Sequence, residues 1–169
     1  MKLLDAYRKQ LNAYSLIKVT ADNIKDAYLL IKGNTEFLSL QNEETTLEDC
    51  LADIESVPPT KKLEDKYYYG IYKNDKLLAL VDYIEGYPTP STIYLGFFIL
   101  DPSYHEKGLG TSLMEPFIKE AQGCGFKSME LGCYVDNKKG YRFWTKLGFK
   151  EIDIVDVSGI QTAKMKKEL

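Results

Sequence analysis

Residues 94–111, Y-L-G-F-F-I-L-D-P-S-Y-H-E-K-G-L-G-T, constrain the fold more than any other stretch. The apolar, aromatic-rich start has the composition of a buried strand. Asp101-Pro102 stops it, because proline fixes its own φ and biases the preceding residue away from helix. A polar turn carrying Gly108 and Gly110 follows. Leu109, Leu113, Phe117, Ile118 and Ala121 then recur at helical spacing. A strand, a glycine turn and a helix in that order aim free backbone N–H groups and the positive end of a helix at one spot. That arrangement suits an anion, above all a phosphate.

Two phosphate-binding patterns fail on inspection. The P-loop needs Gly-Lys followed by Ser or Thr, and neither triplet occurs. The dinucleotide fingerprint needs a third glycine where Leu113 stands. Composition narrows the partners further. A net charge of −3 offers no basic face of the kind nucleic acids favour. The three cysteines, Cys50, Cys124 and Cys133, are not in metal-ligand spacing, and one histidine leaves a Cys/His zinc site without ligands. No metal is therefore expected, and the odd cysteine count points to a reduced, cytoplasmic setting. No apolar run is long enough to span a bilayer, and charges throughout the first residues argue against a secretory signal.

Leu3, Leu4, Tyr7, Leu11 and Tyr14 give residues 2–13 the stripe of an amphipathic helix. Residues 1–14 are read as an added helix, packed on the domain or forming a homodimer contact, and residues 15–169 as a single domain. Helices are expected after the cap-like residues 20–22 up to Gly33, over about 46–57, from the glycine turn to about Gln122, and from Asp136-Asn137 to Gly148. Pro116 lies inside the third of these. Strands are expected over 15–19, 67–73, 76–85, 92–100, 128–135, 149–157 and 160–166, with residues 34–43 a loop. The result is an α/β chain of mixed α+β type, antiparallel in its first half, with a βαβ crossover late. Between residues 41 and 60 six acids occur with no lysine or arginine. They are read as a solvated helix face, or as a wall attracting a cationic substrate.

Two separated pieces resemble the GNAT superfamily of N-acetyltransferases. Residues 100–110, L-D-P-S-Y-H-E-K-G-L-G, resemble its cofactor loop, [Q/R]-x-x-G-x-[G/A] after an aliphatic-Asp-Pro turn. Residues 137–149, N-K-K-G-Y-R-F-W-T-K-L-G-F, resemble its second signature, N-x-x-A-x-x-[LF]-Y-x-K-x-G-F. The resemblance implies a central mixed sheet of about seven strands with helices on both faces, splayed between residues 92–100 and 128–135. It implies acetyl-CoA as donor, with the pantetheine arm along Phe98, Ile99 and Leu100. The pyrophosphate would lie on His105, Lys107, Gly108, Leu109, Gly110 and Thr111, with Asn137 and Trp144 completing the donor site.

The departures from the pattern concern the chemistry. His105 replaces the usual Gln or Arg, and Gly140 replaces an alanine and is expected to loosen its helix. Trp144 stands where many relatives carry a tyrosine that protonates the leaving thiolate, and an indole is not a useful general acid. Tyr141, three residues earlier on the same helix face, is the first choice for that acid, with Tyr134 and Cys133 behind it. The strand over 92–100 has no carboxylate, so the base is sought on the adjacent strand, in Asp82 or Glu85, which alternation places on opposite faces. Asp82 is favoured because it sits in an apolar run. Glu36, Glu85 and Tyr87 are substrate-side candidates by location. The expected activity is direct acetyl transfer to a primary amine of a small, cationic acceptor, without nucleic-acid or membrane partners. The alternative is a coenzyme A-binding sensor or interaction module without catalysis.

Overall fold

A computed structural model describes residues 2–169. The chain runs α1 (Leu3–Gln10), β1 (Ser15–Lys18), α2 (Ile24–Gly33), α3 (Thr35–Leu38), α4 (Leu47–Glu55), β2 (Lys66–Lys73), β3 (Lys76–Glu85) and β4 (Thr92–Leu100). It continues with α5 (Leu109–Gly123), β5 (Ser128–Tyr134), α6 (Lys138–Lys146), β6 (Lys150–Val157) and β7 (Ile160–Glu168). The region expected to be a loop after Gly33 instead forms the one-turn helix α3, too short to show a helical period in sequence.

Local chemistry sets most boundaries. Asn74 and Asp75 both adopt positive φ (50° and 62°), the conformation whose twist suits a two-residue hairpin, and so join β2 to β3. Thr46 and Asp49 cap each other's backbone N–H groups at the start of α4. Asp101 accepts from the Ser103 N–H at 2.9 Å, fixing the turn at the end of β4.

The strands form one sheet of seven in the order β1-β2-β3-β4-β5-β7-β6. All neighbours are antiparallel except β4 and β5, which run parallel and are joined through α5. This is the mixed sheet expected, and helices cover both of its faces.

Two apolar layers flank the sheet. The first holds Leu3 and Tyr7 of α1, Leu113 and Phe117 of α5 and Trp144 of α6 over Val81, Tyr83, Ile93 and Leu95. The second holds Ile24, Ala27, Leu30 and Ile31 of α2 and Cys50 of α4 over Tyr68, Leu80 and Ile99. Among the described residues, no buried residue of β5, β6 or β7 enters the second layer. The apolar stripe of α1 packs on α5 of its own chain. Tyr7 is fully buried, stands edge-on to Phe117 at 5.0 Å, and donates to the Leu113 carbonyl at 3.0 Å. Among the described residues no helix is long and apolar enough to cross a membrane.

Candidate active site

A cleft opens where β4 and β5 part. Their parallel pairing runs from Thr92↔Ser128 to Leu95↔Leu131 and stops. Against β3 the register of β4 slips at the same level. Asp82 pairs with Phe97 and Tyr83 with Leu95, which leaves Gly96 as the extra residue of a bulge. A bulge bends its strand, and this one lies where the strands diverge. Beyond it the Asp101 N–H donates to Leu78 of β3 at 2.8 Å. Alternation along an antiparallel ladder then turns the backbone groups of Phe98 and Leu100 away from β3 and into the cleft. Asn34, buried between α2 and α3, donates to the Leu100 carbonyl at 2.9 Å. That leaves a short polar rail along one wall, fit for an amide-bearing arm.

The rail ends at the N-terminus of α5. Gly108 precedes the helix at φ 81°, and a Cβ there would meet nothing within 4 Å. Its glycine is therefore required by backbone conformation, and the space beside it is open to a ligand. The first N–H groups of α5 have no partner within the helix and point the same way. At Gly110 a Cβ would come within 3.0 Å of Phe143 and 3.3 Å of Leu100, so this glycine also lets α6 and β4 approach the start of α5.

The second signature forms the start and inner face of α6. Asn137 caps α6, its Oδ1 accepting from the Gly140 N–H at 3.0 Å. A Cβ on Gly140 would collide with that Asn137 amide, so Gly140 makes room for the cap and does not merely loosen the helix. Trp144 is buried, edge-on to Phe98 (6.0 Å), Phe143 (4.8 Å) and Phe149 (5.3 Å). It packs the wall below Phe98.

Other predicted residues scatter. The Tyr141 hydroxyl donates to Glu151 at 3.2 Å on β6, the outermost strand, which directs that proton to the sheet's far edge rather than the cleft. Burial first, then the Glu151 charge, push that phenol up. Glu85 shares its face with Tyr83, on the α1 side and at the closed end of the cleft, with one carboxylate oxygen buried and unpartnered. It is not brought to the cleft, because strand alternation turns it away from Asp82.

Asp82 lies beside the bulge. A Cβ on Gly96 would stand 3.5 Å from its Oδ2. Lys66 donates to that Oδ2 at 2.8 Å and to the Ser56 carbonyl at 2.9 Å, while Asp82 Oδ1 is buried without a partner. Burial pushes the Asp82 carboxyl up, against the opposing pull of the Lys66 ammonium.

On the other side of the cleft mouth, α3 reaches over. Phe37 stacks on Tyr134 at 5.6 Å and tilts against Phe97 at 6.3 Å. Glu36 accepts from Lys139 of α6 at 2.8 Å, a hydrogen bond and charge that hold its carboxyl below the usual range. Tyr87 stands edge-on to Tyr94 at 5.6 Å. His105, Lys107 and Thr111 lie on the turn and first helical turn beside Gly108, with Lys107 and Thr111 exposed. Asn34, Phe37, Tyr94 and Glu130 escaped the sequence reading. Only the register of β4 on β5 and the return of α3 bring them to the cleft.

Among the acids of 43–55, Glu44 accepts from Lys32 at 2.8 Å and Asp49 caps α4.

Comparison with known proteins identifies the family to which this fold belongs. The model of the Acetyltransferase (GNAT) family matches residues 34–149. The chain belongs to that family and is an acyltransferase of the acetyl-transferring kind. A solved acetyltransferase from Thermus thermophilus superposes with a TM-score of 0.74 at 21% identity, covering 93% of this chain and 97% of that one. The PaiA N-acetyltransferase of Thermoplasma acidophilum, solved with coenzyme A, superposes with a TM-score of 0.67 at 16% identity, covering 92% and 99%. A Methanocaldococcus jannaschii protein described as an uncharacterized N-acetyltransferase is 36% identical over 56 residues. That alignment spans 33% of this chain and about a quarter of the relative's length.

Proposed function

We propose that this protein moves the acetyl group of acetyl-CoA directly to a primary amine of a small, cationic acceptor, with donor and acceptor bound together. The observation that supports the reading most is the cleft. Two strand edges part at Leu95↔Leu131 and lead to a left-handed Gly108 at a helix N-terminus. One end offers backbone groups to the pantetheine amides, and the other offers N–H groups and a helix dipole to the pyrophosphate. Lys107, His105 and Thr111 flank that end. The acceptor enters from the face bordered by Phe37, Phe97, Tyr134 and Tyr87, and Glu36 sits at its rim. Asp82 takes the proton of the acceptor ammonium; its raised carboxyl and unpartnered Oδ1 beside the exposed Gly96 support that role.

The test is calorimetric binding of coenzyme A together with thiol release from acetyl-CoA across a panel of spermidine, an aminoglycoside and lysine-containing peptides. The reading expects coenzyme A binding and saturable thiol release with at least one of these amines. Binding with no release over the whole panel would make the protein a coenzyme A sensor. Absence of binding would remove the donor site.

A further inference from the structure

We propose that the Tyr94 hydroxyl gives the departing sulfur its proton, with Glu130 beside it returning that proton from the acceptor nitrogen. The proposal rests on the reading of the β4/β5 cleft as the donor site.

Position carries it. Tyr94 pairs in register with Glu130, one step before Leu95↔Leu131, the last pair before the strands part. Ile93 and Leu95 point into the first apolar layer, so Tyr94 points to the opposite face. Glu130 on β5 shares that face. The next β5 residue on it is Gly132, which is exposed. A Cβ there would stand 3.1 Å from Thr162 Cγ2 and 3.8 Å from the Tyr94 hydroxyl oxygen. The missing side chain thus leaves the phenol reaching across the closed end of the cleft. Tyr87 holds the ring edge-on at 5.6 Å, and among the described residues the hydroxyl has no hydrogen-bond partner. A half-buried phenol with a free proton at the end of a donor cleft is poised to serve a leaving group.

Two rival donors are placed elsewhere. Trp144 is packed among aromatic rings, and Tyr141 donates to Glu151. Lys166, opposite Glu130 on β7, is paired with Glu168 at 3.0 Å, and among the described residues Glu130 has no ion-pair partner.

Electrons and protons balance. The amine nitrogen uses its lone pair to bond the acetyl carbon, and the C–S bond then breaks with its pair on sulfur. The Tyr94 proton goes to that sulfur, and the proton shed by the positively charged nitrogen goes to Glu130. Glu130 passes it to the tyrosinate, so one proton has moved from nitrogen to sulfur and the protein is unchanged. Burial first, then Tyr87 and the Glu130 carboxylate, hold the phenol above its ordinary value, so it carries its proton at neutral pH. Protonation of Glu130 removes one of those causes and makes Tyr94 a better acid as the sulfur leaves.

The experiment compares wild type with Tyr94→Phe, using the best amine of the panel. Phenylalanine keeps the ring contact to Tyr87, and coenzyme A binding reports that the cleft is intact. Expected are unchanged coenzyme A affinity and a fall in kcat of about 10²-fold, the usual worth of a positioned proton donor. With acetyl-seleno-CoA as donor, whose selenolate leaves without a proton, the variant should recover most of the wild-type rate. Wild-type kcat in Tyr94→Phe, or an equal loss with both donors, overturns the assignment. If Tyr94→Phe loses coenzyme A binding, Gly132→Val replaces it, filling the space beside an intact hydroxyl. That variant must show the same donor dependence or the proposal fails. Wild-type protein that does not bind coenzyme A rejects the cleft reading before Tyr94 is changed.

Discussion

The two walls of the cleft are built by different means. The donor wall, β4 with the turn into α5, is local in sequence and uses mainly backbone: a bulge at Gly96, a rail at Phe98 and Leu100, and a left-handed Gly108. The acceptor wall is assembled from side chains far apart in the chain. Asn34 holds Leu100, Phe37 stacks on Tyr134, Glu36 pairs with Lys139, Asn42 donates to Ser158 and Lys66 pairs with Asp82. A backbone wall binds what is common to every donor molecule and tolerates side-chain change. A side-chain wall varies with its residues, and under the proposed function acceptor choice resides there.

The acceptor wall should therefore break hardest at its buried ion pair. Lys66 and Asp82 side chains are 5% and 12% exposed and 2.8 Å apart. Lys66→Met strands a buried carboxylate and is expected to cost about 3–5 kcal/mol at neutral pH by denaturant unfolding. The sign with pH is fixed. The Asp82 carboxyl is already raised by burial, and loss of Lys66 removes the pull that opposes it. A raised folded-state value means that stability is fully present below the unfolded value and is lost as pH rises through the folded one. The penalty of Lys66→Met should accordingly shrink on acidification, and the double variant Lys66→Met, Asp82→Leu should regain much of it. A penalty that is flat with pH would show that Asp82 is not charged at neutral pH.

The donor wall should respond to backbone, not to side-chain volume. Gly108→Ala places a Cβ in open space, so its whole effect is the left-handed φ, about 1–2 kcal/mol. Coenzyme A affinity should fall while acceptor KM is unchanged. Gly108→Asn, a residue more tolerant of that conformation, should lose less. Equal losses in both variants would mean that the ligand needs the empty volume and not the turn.

This difference also explains what was legible in sequence. β3 and β4 emerge with the expected bounds, because Asn74-Asp75, Thr92 and Asp101-Pro102 are local signals. The donor turn was legible for the same reason. Alternation alone separated Asp82 from Glu85, and the sheet turns them to opposite faces. The rest of the site depended on register. Tyr94 reads as one more aromatic of an apolar strand until β5 is laid beside it and Gly132 falls under its hydroxyl. Tyr141 reads as an acid until β6, entering from the far edge, presents Glu151. Gly140 reads as a weak helix residue until the Asn137 cap is seen to occupy the place of its Cβ. Nor does α3 have a period to detect in one turn.

The smallest expected effect on stability is the most specific to the acceptor wall. Phe37 is on a four-residue helix and meets the cleft only through Tyr134 and Phe97. Phe37→Ala should lower stability by about 0.5–1.5 kcal/mol, the worth of such an aromatic pair. Its kinetic signature should be one-sided. Acceptor KM rises because the rim that orders the amine is lost, whereas coenzyme A affinity stays, because the rings that Phe37 meets, Tyr134 and Phe97, are not the rail residues Phe98 and Leu100. Phe37→Leu separates the two contributions of the ring, restoring apolar cover without stacking on Tyr134. If leucine restores KM, the rim acts by excluding water. If it does not, the stacked geometry itself orients the acceptor. A parallel loss of coenzyme A affinity in Phe37→Ala would show that α3 belongs to the donor wall as well, and the division between a backbone wall and a side-chain wall would have to be redrawn at Asn34, which ties α2 to the Leu100 carbonyl.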